Sequence, residues 1–207
     1  MTVRTAIRRL AGLAAAAGLS MALSLSASPA FADSGFRNWV ASFRATAVAS
    51  GVSGAIYDRA FRGIDDADPE VIEKARTQPE FKAPAWDYFD NRVHDQSIAT
   101  GRAMATKWKP WLDRIEQRYG VDRYTLLAIW SMETNYGEML KRTDVMRSVV
   151  RSLATLGYAD KQRSKYARTQ LIAALKILQT GDIDESHLQG SWAGAMGHTQ
   201  FIPTSYQ

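Results

Sequence analysis

Asp122-Arg123-Tyr124-Thr125-Leu126-Leu127-Ala128-Ile129-Trp130-Ser131-Met132-Glu133-Thr134-Asn135-Tyr136-Gly137 is the stretch on which the fold reading turns. Asp122 offers a side-chain oxygen to the first free amides of a helix. From Arg123 to about Thr134 the residues form the most apolar helical segment after the leader, and Gly137 stops it. Leu126, Ile129, Trp130 and Glu133 stand at i, i+3, i+4 and i+7, so they share one face. A carboxylate seldom enters such a face unless it is paired or functional. Desolvation by those neighbours and the negative end of the helix dipole both favour its protonated form, which suits a general acid. The bland alternative is a glutamate at the helix edge, pointing into water.

Helical periodicity extends outward in both directions. Trp108, Trp111, Leu112, Ile115 and Tyr119 share a face before the stop at Gly120, with Pro110 tolerable only near the start. Phe36, Trp39, Val40, Phe43 and Ala47 form one stripe ended by Gly51, and Ser53 caps a segment reaching Ile64. Asp68-Pro69-Glu70 is a helix start. Gln78-Pro79-Glu80-Phe81 reads as extended, and Trp86, Tyr88 and Phe89 read as a core or docking anchor. Downstream, Val145, Val149, Leu153 and Leu156 predict a helix closed by Gly157. Ala167, Leu171, Ala174, Leu175 and Leu178 predict another, closed by Gly181. No run alternates with period two over a useful length, so the fold class is mainly α.

The first 32 residues read as a secretory leader. Arg4, Arg8 and Arg9 precede the apolar run Leu10–Leu25, and Ala30-Phe31-Ala32 supplies the small residues of a cleavage site. An uncleaved anchor is the alternative, but the run is short and Ala-rich for a span of about 20 apolar residues. Cleavage after Ala32 delivers a periplasmic protein with no stable membrane span. It also changes the charge: the whole chain has 26 basic and 21 acidic residues, and removing the three leader arginines leaves 23 against 21. So small and interspersed an excess gives no support to a nucleic-acid partner. Without cysteine, a disulfide framework, a thiolate metal site and a cysteine nucleophile are excluded.

A second chemistry-bearing stretch is Gly190-Ser191-Trp192-Ala193-Gly194-Ala195-Met196-Gly197-His198-Thr199-Gln200-Phe201-Ile202-Pro203. Its glycines permit tight turns or close approach of a ligand. Trp192, Met196 and Phe201 offer apolar surface, while Ser191 and Gln200 offer polar handles. That mixture suits a sugar, with its hydroxyl edges and apolar ring faces; a structural turn under the core is the competing reading. The glycine spacing is wrong for a phosphate loop. His94, His187 and His198 lack paired-ligand spacing. Asp182-Ile183-Asp184-Glu185-Ser186 is not a calcium loop, because His187 stands where glycine is needed and Ala193 where the closing glutamate is needed. It reads as a solvated turn.

Together these landmarks resemble the membrane-bound lytic murein transglycosylase B family. The matching residues are Phe36-Arg37-Asn38-Trp39, Gln78-Pro79-Glu80-Phe81, Tyr119-Gly120-Val121, Glu133-Thr134-Asn135-Tyr136-Gly137, Leu153-Ala154-Thr155-Leu156, Gly194-Ala195-Met196-Gly197 and Gln200-Phe201-Ile202-Pro203. They run in order through nearly all of the chain after the leader. The resemblance implies a lysozyme-like helical core at 107–207 with an added N-terminal helical region at 33–106. It implies cleavage of the β-1,4 bond between N-acetylmuramic acid and N-acetylglucosamine in peptidoglycan glycan strands, with other cell-wall enzymes as a further class of partner. Glu133 matches the family's catalytic glutamate, and Ser191 and Gln200 match glycan-binding residues. Arg163 matches a substrate-touching basic residue less securely, and Tyr136 and Met196 lie within the same motifs. Two departures stand out: Glu138-Met139-Leu140-Lys141-Arg142 lacks a second glycine common in the family, and the core is expected to be incomplete at its C-terminal end. The implied chemistry needs no cofactor; the family's calcium loop would lie beyond Gln207.

Glycoside hydrolysis ordinarily needs two carboxylates, and no second one is evident near Glu133, since Glu138 and Asp144 read as solvated. The resemblance therefore implies transglycosylation, with 1,6-anhydromuramic acid ends as products. A non-catalytic peptidoglycan-binding or scaffold protein and a lysozyme-type muramidase stay open as alternatives.

Overall fold

The computed structural model describes residues 34–77 and 84–207. The leader at 1–32 and the Gln78–Phe81 segment lie outside the described residues. Ten helices and one two-residue strand pair are present among those described.

Helix α1 (Ser34–Ala49) buries Phe36, Phe43 and Ala47, one stripe of the 3.6-residue period. Its Trp39 ring stacks on Phe43 at 4.9 Å, and Gly51 at φ 92° turns the chain. The Ser53 hydroxyl caps α2 (Gly54–Ala60) by accepting the Ile56 amide at 3.2 Å. This helix stops four residues short of Ile64, in a turn that Gly63 completes at φ 78°. Helix α3 (Pro69–Thr77) starts on Asp68, whose Oδ1 accepts the Glu70 amide at 3.0 Å. Helices α4 (Ala85–Arg92) and α5 (Asp95–Lys107) follow. Trp86 and Phe89 are 70% and 62% exposed, so they do not belong to a core; the Tyr88 side chain lies outside what is described.

Helix α6 (Lys109–Tyr119) ends at Gly120 in the left-handed region. Asp122 then caps α7 (Arg123–Thr134), its Oδ1 accepting the Tyr124 and Thr125 amides at 2.9 Å each. Next come a 3-10 turn at Glu138–Lys141 and strand β1 (Arg147–Ser148). Helices α8 (Val149–Ala159) and α9 (Ser164–Thr180) lead to strand β2 (Gln189–Gly190) and α10 (Pro203–Tyr206). The strands pair antiparallel, Arg147 opposite Gly190 and Ser148 opposite Gln189.

The α8–α9 pair is the centre of the principal core. Val149, Leu153, Leu171, Leu175 and Leu178 pack there with Phe36, Phe43 and Val52 from the N-terminal helices. A separate cluster joins Leu112, Leu127 and Tyr136 with Trp108 and Trp130, and so holds α6 to α7. The mainly α class read from periodicity is the observed one.

Two details of α8 differ from the sequence reading. Val145 lies before the helix, because residues 147–148 are drawn into the strand pair. Gly157 does not close the helix, which continues to Ala159. Its missing side chain serves contact instead: a Cβ there would lie 3.0 Å from the Trp39 ring. Gly157→Ala is therefore expected to lower stability by about 1–3 kcal/mol through overpacking, despite alanine's better helix propensity. A thermal melt showing an unchanged or raised midpoint would contradict this.

Candidate active site

Glu133 sits in the last turn of α7, and the chain leaves that helix through three consecutive left-handed residues. Asn135, Tyr136 and Gly137 have φ of 47°, 57° and 92°. Such a conformation is unusual for a bulky residue and costs about 1–2 kcal/mol. Contacts back to the last turns of the helix offset it. The Tyr136 amide donates to the Trp130 carbonyl at 3.2 Å, and the Tyr136 ring, only 8% exposed, lies edge-on to Trp130 at 5.5 Å.

The carboxylate itself is exposed, which corrects the expectation that its neighbours desolvate it. Ile129, on the same face, is 44% exposed. Periodicity places side chains on a common face without specifying what covers that face. The Glu133 side chain makes no hydrogen bond or ion pair with the described residues. The next acids along the chain are engaged: Glu138 pairs with Lys141 at 2.8 Å and Asp144 with Arg142 at 2.5 Å.

The glycine-rich stretch folds back on itself beside this helix end. Gly190 bridges to Met196, and Met196 to Phe201. The Ser191 amide donates to the Ala195 carbonyl at 2.7 Å, while the Ser191 hydroxyl oxygen accepts the Ala193 and Ala195 amides. Its hydroxyl hydrogen is thereby left for an outside acceptor. Gln200 stands at φ 50°. Its Nε2 donates to the Gly197 carbonyl at 3.0 Å, and its Oε1 faces no described donor. Met196, nearly buried, joins the principal core and lines a cavity of about 530 Å³ together with Phe201, His198 and Tyr206.

Helix end and loop are joined directly. The buried Thr134, next to Glu133, donates its hydroxyl to the His198 carbonyl at 2.7 Å. The Trp130 indole N–H donates to His198 Nδ1 at 3.0 Å. Glu133, Ser191, Met196 and Gln200 thus belong to one connected unit, 58 to 67 residues apart in sequence. Sequence reading weighed His198 only as a metal ligand and missed this link, for which no local pattern exists.

Tyr136 and Arg163 occupy other places. Tyr136 is packed in the α6–α7 cluster. Arg163 donates to Asp160 Oδ2 at 2.7 Å and to the Ala75 carbonyl at 3.2 Å, and lies over the Trp192 ring at 5.9 Å. Among the described residues it approaches the loop through Trp192. Asp160 also accepts the Gln162 and Arg163 amides at 2.9 and 3.0 Å. Burial alone would raise the Asp160 carboxyl, but these amides and the Arg163 guanidinium together hold it below the usual carboxylate range. A carboxyl depressed in the fold stabilises it above the unfolded value of about 3.9, and that contribution is lost as pH falls through the lower folded value. Asp160→Asn should therefore melt earlier than the parent chain at neutral pH, with the difference closing in strong acid. A pH-independent gap between the two melts would refute this.

Comparison with known proteins places these features. The chain is 28% identical over 151 residues to the membrane-bound lytic murein transglycosylase B of Escherichia coli (strain K12), covering 72% of this chain and 40% of that protein. It is 44% identical to SltB3 from Pseudomonas aeruginosa, solved in complex with NAG-NAM-pentapeptide, with a TM-score of 0.77 over 83% of this chain and 44% of that one. SltB1 from the same organism matches at 26% identity and a TM-score of 0.68, over 83% and 55%. The chain therefore spans less than half the length of the first two relatives. The lysozyme-like helical fold of the lytic transglycosylases is present. Residues 35–207 match the model of the transglycosylase SLT domain, and the chain belongs to that family.

Proposed function

We propose that this chain carries the acid/base centre of a lytic transglycosylase that cleaves the β-1,4 bond between N-acetylmuramic acid and N-acetylglucosamine in peptidoglycan. The observation that carries this reading is a carboxylate, Glu133, whose side chain bonds to none of the described residues, at a helix end fastened to the Ser191–Gln200 loop. Glu138 and Asp144, the acids that follow Glu133 in the chain, are tied to cations, which fits a one-carboxylate reaction better than a two-carboxylate hydrolysis. The relative solved with a NAG-NAM-pentapeptide supports the substrate class.

In the proposed reaction Glu133 gives its proton to the glycosidic oxygen as the C1–O bond breaks, and the N-acetylglucosamine part leaves as an alcohol. The muramic N-acetyl oxygen stabilises the electron-poor anomeric carbon. Glu133, now ionised, takes the proton of the muramic 6-hydroxyl as that oxygen bonds to C1. The product is a 1,6-anhydro sugar, the carboxyl ends protonated, and no water is consumed. Ser191 and Gln200 present a hydroxyl hydrogen and an amide oxygen to the glycan, and Met196 supports the loop from below. Arg163 donates from Nη1 to Asp160 and the Ala75 carbonyl, so a glycan contact would use the other guanidinium nitrogens, and Tyr136 acts through packing. On this reading residues 107–207 carry the chemistry and 33–106 brace it, as the packing of Phe36 and Phe43 on α8 and α9 supports. Export through the leader, with cleavage after Ala32, places the protein in the periplasm, where other cell-wall enzymes are its neighbours. No helix among the described residues is long and apolar enough to cross a membrane.

Digestion of purified peptidoglycan followed by mass spectrometry tests the reading. Anhydro-muropeptides support it. Reducing-end products would identify a muramidase, and retention on peptidoglycan without any product would identify a binding protein.

A further inference from the structure

We infer that His198 is a positioning residue that sets Glu133 in register with the Ser191–Gln200 loop. This rests on the reading of Glu133 as the acid/base. Three contacts converge on His198, and each comes from a residue flanking Glu133. The Trp130 indole N–H donates to Nδ1 at 3.0 Å, and the Thr134 hydroxyl donates to the main-chain carbonyl at 2.7 Å. At Gly137 a Cβ would lie 2.7 Å from Nδ1 and would overlap Cε1, so the absence of a side chain there makes room for the ring. The Trp130 and His198 rings also meet edge to face, with centroids 5.5 Å apart.

The hydrogen bond fixes the chemistry of the ring. An imidazole whose Nδ1 accepts from an indole N–H must carry its own hydrogen on Nε2. Trp130 is itself wedged edge-on against Trp108 at 5.9 Å and Tyr136 at 5.5 Å, so the donor is held on a packed base. Because Thr134 takes the backbone and Trp130 the ring, His198 is gripped at two points and cannot pivot about one. Gln200, two residues on, is fixed in its left-handed conformation relative to that grip. Breaking the ring contact leaves Glu133 and the loop each intact while freeing them to shift against one another. A misplacement of about 1 Å can cost on the order of a hundredfold in rate.

Three measurements on the full chain test this. Nitrogen-15 NMR of histidine-labelled protein at pH 8 should show His198 Nδ1 as a bare acceptor and Nε2 protonated, and a proton on Nδ1 would overturn the inference. His198→Phe keeps ring bulk but not the acceptor, and should lower kcat by roughly 10–100-fold with KM changed by less than about twofold. His198→Asn, whose Oδ1 reaches the place of Nδ1, should recover most of that loss. Rates for His198→Phe equal to the parent, or an asparagine variant no better than the phenylalanine one, would overturn it. Should His198→Phe fail to fold, Trp130→Phe removes the donor instead, and the NMR result on the parent chain still decides. If the parent releases no anhydro products, the Glu133 reading fails, whereas the protonation pattern of His198 judges the link independently.

Discussion

Glu133→Gln is expected to reduce release of anhydro-muropeptides by about a thousandfold, within the range spanned by general acid–base groups. Glutamine matches the shape of the side chain but neither gives up a proton to a leaving oxygen nor accepts one from an attacking hydroxyl. The carboxylate is exposed and makes no hydrogen bond or ion pair with the described residues, so stability should barely change, by less than about 0.5 kcal/mol as for ordinary surface sites. That separation of activity from stability makes the variant informative. Glu138→Gln is the companion control: it loses only an exposed pair with Lys141, worth about 0–1 kcal/mol, and should keep its activity. Equal product release by Glu133→Gln and the parent would remove Glu133 from the mechanism.

The second large effect is on folding. Gly190→Ala should destabilise the chain by about 3 kcal/mol, at the upper end of overpacking costs. The conformation of Gly190 is not left-handed, so the argument is purely steric. A Cβ there would overlap the Ala195 carbonyl oxygen and lie 2.9 Å from Val149 Cγ2. Because the first obstacle is backbone, no rotamer change relieves it. That carbonyl accepts the Ser191 amide at 2.7 Å, and Gly190 is paired to both Arg147 and Met196. Relief of the clash must open the loop that carries Ser191 and Gln200. A drop of roughly 6–12 °C in melting temperature is expected for a domain of this size, with activity lost well below the new midpoint. A variant that melts with the parent would show that the loop yields freely and that its tight fold is not required.

Legibility differed between the features of the chain. Asp122, Gly120, Asp68 and Ser53 were readable as caps and stops because such signals act on amides or carbonyls within four residues. The stripes of α1 and α9 were readable for the same local reason. Val145 reads as part of α8 because an apolar spacing of four does not distinguish a helix from the turn and strand that precede it. Gly157 was read as a stop, although its reason is Trp39, more than a hundred residues away. Bulk alone marks Trp86 and Phe89 as a core or docking anchor, and bulk does not report the exposure that keeps them out of the core.

By itself the sequence determined that the chain is mainly helical, where most helices begin and end, and that Glu133 and the Gly190–Pro203 stretch are its two unusual features. Each follows from interactions that span one or two helical turns. Tertiary structure alone decided that these features meet, that His198 joins them 64 and 68 residues from its partners, that Tyr136 is packed away and that Arg163 is held by Asp160. Contacts across such separations depend on how preformed helices dock, and no short-range pattern of side chains encodes that docking.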